Sequence, residues 1–243
     1  MSAPGERSAF YSVGRGTGGL GDWVTLLHPP YTLWHLSYVA FGAAVMPPLV
    51  LWRLGGTLVA FFLAVGIGAH ALDELHGRPL GTGIKGTLLV ITAVVSITVA
   101  MVMGLIDGGW KLVPFVVIGG VLVYGYNLEL FGGVLHSDVW FALAWGAFPV
   151  LVGAYAQHFT LTLAAGVAAV AALFLSLGQR ALSTPARTLR RRVTRVAVRL
   201  TFTDGSEREL GRAELLSPLE RALRYFVCAT SAVAVAMVLA AAR

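Results

Sequence analysis

Hydrophobic positions in this chain fall in long unbroken blocks rather than in stripes. Runs near 32–52, 55–72, 86–106, 111–128, 139–157, 159–178 and 225–242 are each long enough to cross roughly 30 Å of hydrocarbon. None alternates with period two, so helices rather than a closed barrel are predicted. The pattern predicts an all-α, polytopic membrane helix bundle of about seven transmembrane helices. A tight turn at Trp52, Arg53, Leu54, Gly55 and Gly56 is expected to join the first two. After the sixth run the period changes: Val196, Val198, Leu200 and Phe202 alternate with Arg195, Arg199 and Thr201, and Asp204-Gly205 follows, which predicts a small β-hairpin over 193–210. Ser217, Pro218 and Glu220 then supply an N-cap, a first-turn proline and a capping glutamate for a helix that continues into the last run.

Composition agrees with lipid as the main solvent, since 57% of the residues are hydrophobic and only 12% charged. Cys228 stands alone, so intrachain disulfides play no part. The organisation expected is a polar, Gly-rich segment over 1–25, a helix bundle over 26–180, a basic loop over 181–222 carrying the hairpin, and a last spanning helix over 223–243. Residues 1–25 include Glu6, Arg7, Arg15 and Asp22 but no apolar core ending at a small-residue cleavage site, so a removable signal peptide is not expected.

Charge sets the expected orientation. Of 18 Lys and Arg residues, 11 are arginines between Arg180 and Arg224, which predicts a cytoplasmic loop in a cell (inner) membrane protein. Counting helices back from it puts the amino terminus in the cytoplasm and the carboxyl terminus outside. The arginines suit anionic lipid headgroups, at about 1 kcal/mol each near the surface, or a phosphorylated substrate. Nucleic acid is not an expected partner, because the basic residues form one topogenic loop rather than an aromatic stacking surface.

This topology gathers the scarce polar residues. His28, His35, His70, Asp73, Glu74, His76, Asn127, Glu129, His136 and Asp138 all fall at the cytoplasmic end, whereas Asp107 and His158 fall outside. Ionisable groups at membrane depth are costly and face cavities or one another, so a polar chamber at that end is predicted. His70, Asp73, Glu74 and Gly77 share one helical face, and a histidine with carboxylates on one stripe suits a divalent cation: Mg²⁺ if carboxylates dominate, Zn, Fe or Mn if imidazoles do. The alternative is that Asp73 and Glu74 end a helix and pair with Arg78 or Lys85. Asn127 and Glu129 are the strongest partners for the first cluster. No GxSxG elbow, HExxH helix, P-loop or dinucleotide fingerprint is present.

Three stretches resemble the UbiA superfamily of intramembrane prenyltransferases. Residues 27–42, with His28, Pro29 and the Thr32-Leu33 pair ahead of an apolar run ending at Gly42, are similar to that family's first helix. Residues 69–80, through Asp73 to Arg78, Pro79 and Leu80, fall where the family carries its first Asp-rich motif. Residues 141–156, with Trp145-Gly146 and Gly153, resemble its fifth helix. The resemblance covers roughly residues 24–190. It implies Mg²⁺ on the diphosphate of a polyprenyl donor and a lipophilic acceptor, with Asp73 matching the motif's second aspartate, His70 replacing its first and Ala69 its asparagine. Where the second Asp-rich motif is expected, 176–187 carries no acid, and the family's last three helices are replaced by the hairpin and one span.

On this reading Asp73, Glu74, Asn127 and Glu129 are the catalytic candidates, and His70, Asp73, Glu74 and His76 the metal ligands. Arg78, Lys85, Arg180 and Arg187 face phosphate, with Tyr124 and His35 completing the substrate site. The expected function is prenyl transfer from a polyprenyl diphosphate to an acceptor. The alternatives are a non-catalytic lipid- or isoprenoid-binding membrane protein and a membrane metalloenzyme with His and carboxylate ligands.

Overall fold

A computed structural model describes residues 8–243; Glu6 and Arg7 lie outside the described residues. In chain order it contains α1 (Leu20–Leu26), α2 (Pro29–Ala44), α3 (Leu51–Leu75), α4 (Gly86–Lys111), α5 (Val113–Asn127), α6 (Asp138–His158), α7 (Leu163–Arg191), strands β1 (Val198–Thr201) and β2 (Glu207–Leu210), and α8 (Arg212–Ala241). Five of these, α3, α4, α6, α7 and α8, are long and apolar enough to cross a membrane. Four of them bury a third or less of their most apolar window internally, and α6 buries half. Only 28% of the most apolar window of α4 is covered by protein, and Val90, Ile91, Val94, Val95, Val99 and Val102 project outward, as a lipid-facing helix requires.

The two other apolar helices are short: 16 residues in α2 and 15 in α5, or about 24 and 22 Å of rise. The expected first span ends early. Helix α2 stops at Ala44, and the break lies at 45–50, around Pro47 and Pro48, not at 52–56, which is helical. A proline has no N–H to donate and crowds the preceding turn, so a Pro-Pro pair ends a helix where Gly55 and Gly56 only weaken one. This break is stitched to the end of α6: the Val50 amide donates to Gln157 Oε1 at 2.8 Å, and His158 Nε2 donates to the Pro48 carbonyl at 2.9 Å.

Ten of the sixteen residues of α2 are buried, and it packs most extensively on α6 and α8. Glycines permit this. A Cβ on Gly42 would lie 1.9 Å from the Val150 carbonyl oxygen, and one on Gly153 would lie 2.2 Å from that of Val39. Backbone therefore meets backbone, the close approach that small residues give to membrane helices. Two spans also contain π-helical segments, Phe62–Ala69 in α3 and Leu143–Ala147 in α6. In the second, the Trp145 carbonyl accepts from His35 Nδ1 at 2.8 Å, which ties α2 to α6.

The hairpin forms as expected, antiparallel, with Val198 opposite Leu210 and Thr201 opposite Glu207. The Asp204 carboxylate accepts from the Ser206 amide at 2.9 Å, and Gly205 takes φ 82°. The following helix starts earlier than Ser217. Glu214 Oε2 accepts from the Gly211 amide at 3.0 Å, which begins α8 at Arg212 and leaves Pro218 inside it. The expected acidic cap was real in kind, but a glutamate nearer the hairpin supplies it.

Candidate functional site: an arginine-walled chamber

At the end of the bundle that carries the basic loop, the ends of α3, α5, α6, α7 and α8 enclose a chamber of about 1580 Å³. That exceeds the volume one small ligand usually fills. Asp73, His70, His76 and Arg78 reach it from α3 and the turn that follows. Asn127, Glu129 and His136 reach it from the α5–α6 connection, Arg180 and Arg187 from α7, and His35 from α2. The structure thus brings most of the sequence candidates to one cavity.

Three do not belong to it. Glu74 is fully buried and turned away: its carboxylate accepts from the Leu80 amide at 2.9 Å, the Thr82 amide at 2.8 Å and the Thr82 hydroxyl at 2.8 Å. Neighbouring helical residues point about 100° apart, and here Glu74 turns into protein while Asp73 faces the cavity. Glu74 is a structural acid that folds the 80–82 turn, neither a catalytic residue nor a ligand. Lys85 is exposed at the start of α4, outside the chamber, and Tyr124 packs against the core beneath it. Tyr126, two residues on, takes the wall position expected of Tyr124.

Among the described residues, Arg78, Arg187 and Arg191 have no carboxylate within ion-pair distance. Arg180, by contrast, pairs with Asp138 at 2.6 Å and stacks on Phe141. Arg78 is aimed by its own turn, donating to the Ile84 carbonyl at 2.6 Å. Asp73 lies within electrostatic range of Arg191, Arg187 and His136, and among the described residues no protein group hydrogen-bonds its carboxylate. Glu129, held at φ 50°, sits 3.9 Å from His76 and 4.0 Å from His136.

Sequence reading missed the roof. Residues 8–16 close over the chamber, held down by Asp22, whose carboxylate accepts from the amides of Gly16 at 3.0 Å, Gly18 at 2.5 Å and Gly83 at 3.1 Å. Burial opposes the charged form of Asp22, yet these backbone donors outweigh it and hold the carboxyl below the usual carboxylate range. Tyr11 lies under the roof, and burial pushes its phenol well above 10, with Tyr31 adding to the shift and Arg191 opposing it. Burial, then His70 and Arg191, push His28 well below 6.5. We therefore assign Tyr11 as the donor to neutral His28 Nδ1, at 2.7 Å. The remaining ring proton is then on Nε2, which is buried without a partner, while the His28 ring stacks on His70 at 4.1 Å. Nothing in the Gly-rich segment has a period that would have revealed this.

A second cavity of about 420 Å³, almost wholly apolar, runs between α3, α4, α5 and α6. It shares Val65 and Trp145 with the chamber, so polar and apolar spaces adjoin at the two π-helical segments.

Comparison with protein-family models, curated proteins and solved structures finds no match for this chain. The geometry alone therefore bears on its chemistry.

The donor set does not fit a metal ion held by protein alone. Among the described residues no group of three or more His, Cys, Asp or Glu side chains is arranged to hold one. Glu74 is occupied by backbone, His70 Nδ1 donates to the Gly66 carbonyl at 3.1 Å, and His76 faces Glu129 across 3.9 Å. Of the four expected ligands, Asp73 alone presents an unoccupied carboxylate. What the chamber offers instead is guanidinium charge, which suits phosphate oxygens geometrically.

Proposed function

We propose that this protein binds an amphiphile with a phosphate-bearing head and a long hydrocarbon chain, and that it acts as a divergent UbiA-like prenyltransferase on a polyprenyl diphosphate. The observation that carries the reading is Arg78, Arg187 and Arg191 lining one chamber without carboxylate partners. Guanidinium groups gathered with no ion-paired carboxylate, and only Asp73 within electrostatic range of Arg187 and Arg191, repel one another, and an anionic ligand relieves that cost. The adjoining apolar cavity accounts for the chain. In this reading all seven apolar helices cross or enter the bilayer, the chamber opens to the cytoplasm, and the carboxyl terminus lies outside, as the placement of the arginines favours.

Arg78, Arg187 and Arg191 hold the diphosphate as the C1–O bond breaks and its electron pair leaves with the phosphate. The allylic cation forms a bond to the acceptor, and Asp73 takes the proton that the acceptor loses. The part of the roof anchored by Thr25 and Asp22, together with the bilayer, keeps bulk water from the cation. No step is assigned to Mg²⁺, since the residues present do not hold it unaided.

A non-catalytic isoprenoid-binding role is the second reading, favoured by the lack of a metal-holding donor group. Radiolabelled geranylgeranyl diphosphate tests both in purified protein with a membrane lipid extract as acceptor source. Prenyl transfer by wild type, with binding retained but transfer lost in Asp73→Asn, supports the enzyme. Binding with no transfer supports the second reading, and absence of binding removes both.

A further inference from the structure

The roof over the chamber is held in two different ways. Residues 13–18 are fixed to the body through their own backbone amides: Thr25 Oγ1 accepts from the Val13 amide at 3.0 Å and the Gly14 amide at 2.8 Å, and Asp22 takes Gly16 and Gly18. Residues 8–12 are held by two hydrogen bonds to groups that line the chamber and by Phe10, which packs against the cluster of Ala186, Leu216 and Leu223. Arg191 Nε donates to the Ser8 carbonyl at 3.1 Å, and Tyr11 is bonded to His28. Phe10 lies under the Arg224 guanidinium at 5.1 Å. Gly16 at φ 72° and Gly18 at φ 78° form the joint between the strap and α1.

Arg191 thus spends its directed hydrogen bond on a neutral backbone carbonyl while standing among the cations that await an anion. A phosphate oxygen is the stronger partner, because charge-assisted bonds are roughly twice as strong as bonds to neutral acceptors. We infer that residues 8–12 form an exchangeable strap, and that a phosphate-bearing ligand takes Arg191 from the Ser8 carbonyl and frees the strap's end while Asp22 keeps its base attached. The inference rests on the reading that the chamber takes such a ligand, and adds that the same arginine couples occupancy to access. Ser12, the last residue of the strap and only 3% exposed while the strap is closed, is the natural reporter.

The test uses the full chain in detergent with Cys228→Ser and Ser12→Cys, and inorganic pyrophosphate as the probe. Maleimide labelling at position 12 is read beside binding of labelled pyrophosphate. We expect pyrophosphate to speed labelling about tenfold, the scale of losing one hydrogen bond. Arg191→Ala, and independently Tyr11→Phe, should speed labelling without ligand, the first also removing most of the response. Elution as a single monodisperse species checks that each variant is folded. Pyrophosphate that binds without changing the rate, or slows it, overturns the strap and leaves the chamber reading standing. Pyrophosphate that does not bind overturns both.

Discussion

At the scale of single residues, two acids one position apart do different work, and their variants should separate. Glu74→Ala leaves the Leu80 and Thr82 amides and the Thr82 hydroxyl buried without an acceptor. We expect it to cost about 3 kcal/mol or more in stability, seen as a lowered unfolding temperature in detergent. Asp73→Asn, whose carboxylate has no protein partner to lose, should unfold close to wild type. Asp22 gives a pH signature. Its folded pKa is depressed, so its contribution is fully present above the unfolded value near 3.8 and is lost as pH falls through the lower folded one. Hydrogen-exchange protection factors at Gly16, Gly18 and Gly83, which correct for the intrinsic pH dependence of exchange, should therefore hold from neutral pH to about 5 and drop below about 4. Asp22→Asn should lower protection already at neutral pH and flatten its dependence on pH. Counting helices back from the basic loop made the chamber's membership legible, since Asp73, His76, Asn127, Glu129 and Arg187 all arrived there. It could not say which way each side chain turned, because a stripe at i, i+3 and i+4 spans an arc wide enough for Glu74 to face inward protein while Asp73 faces the cavity.

At the scale of elements, the crossing of α2 and α6 carries the geometry of the site, since it fixes His35 against Trp145 and leads from α2 into the loop that bears His28. Gly42→Ala would put a methyl 1.9 Å from the Val150 oxygen. Backbone cannot yield as a flexible side chain does, so the helices must part, at about 1–3 kcal/mol or more. Thermal unfolding should show the loss, whereas Gly166→Ala, which meets nothing within 4 Å, should not. Hydropathy revealed where helices lie but not how they end or bulge. The early end of α2 at Pro47-Pro48 is a local signal that the continuous apolar run masked, whereas the π-helical turns beside Val65 and Trp145 depend on what each helix packs against, and apolar run length is the same whether the neighbour is lipid or protein. The hairpin was legible because period-two alternation and an Asp-Gly turn are local signals.

Across the whole molecule, charged and apolar groups are segregated. Charge collects at one end, apolar surface faces outward, and between them an apolar cavity meets a basic chamber. The polar end was visible in the sequence because charged groups are too costly at membrane depth to be scattered. The roof was not, because a Gly-rich segment takes its shape from Asp22 and Thr25 rather than from any repeating pattern. The most direct measurement compares equilibrium binding of farnesyl diphosphate, inorganic pyrophosphate and farnesol to the purified protein. Farnesyl diphosphate should bind more tightly than either half. Arg187→Ala should weaken it by about 1.5–3 kcal/mol, or roughly 10- to 100-fold, and leave farnesol unaffected. Farnesol binding as tightly as the diphosphate, or equal affinity in wild type and Arg187→Ala, would contradict the account.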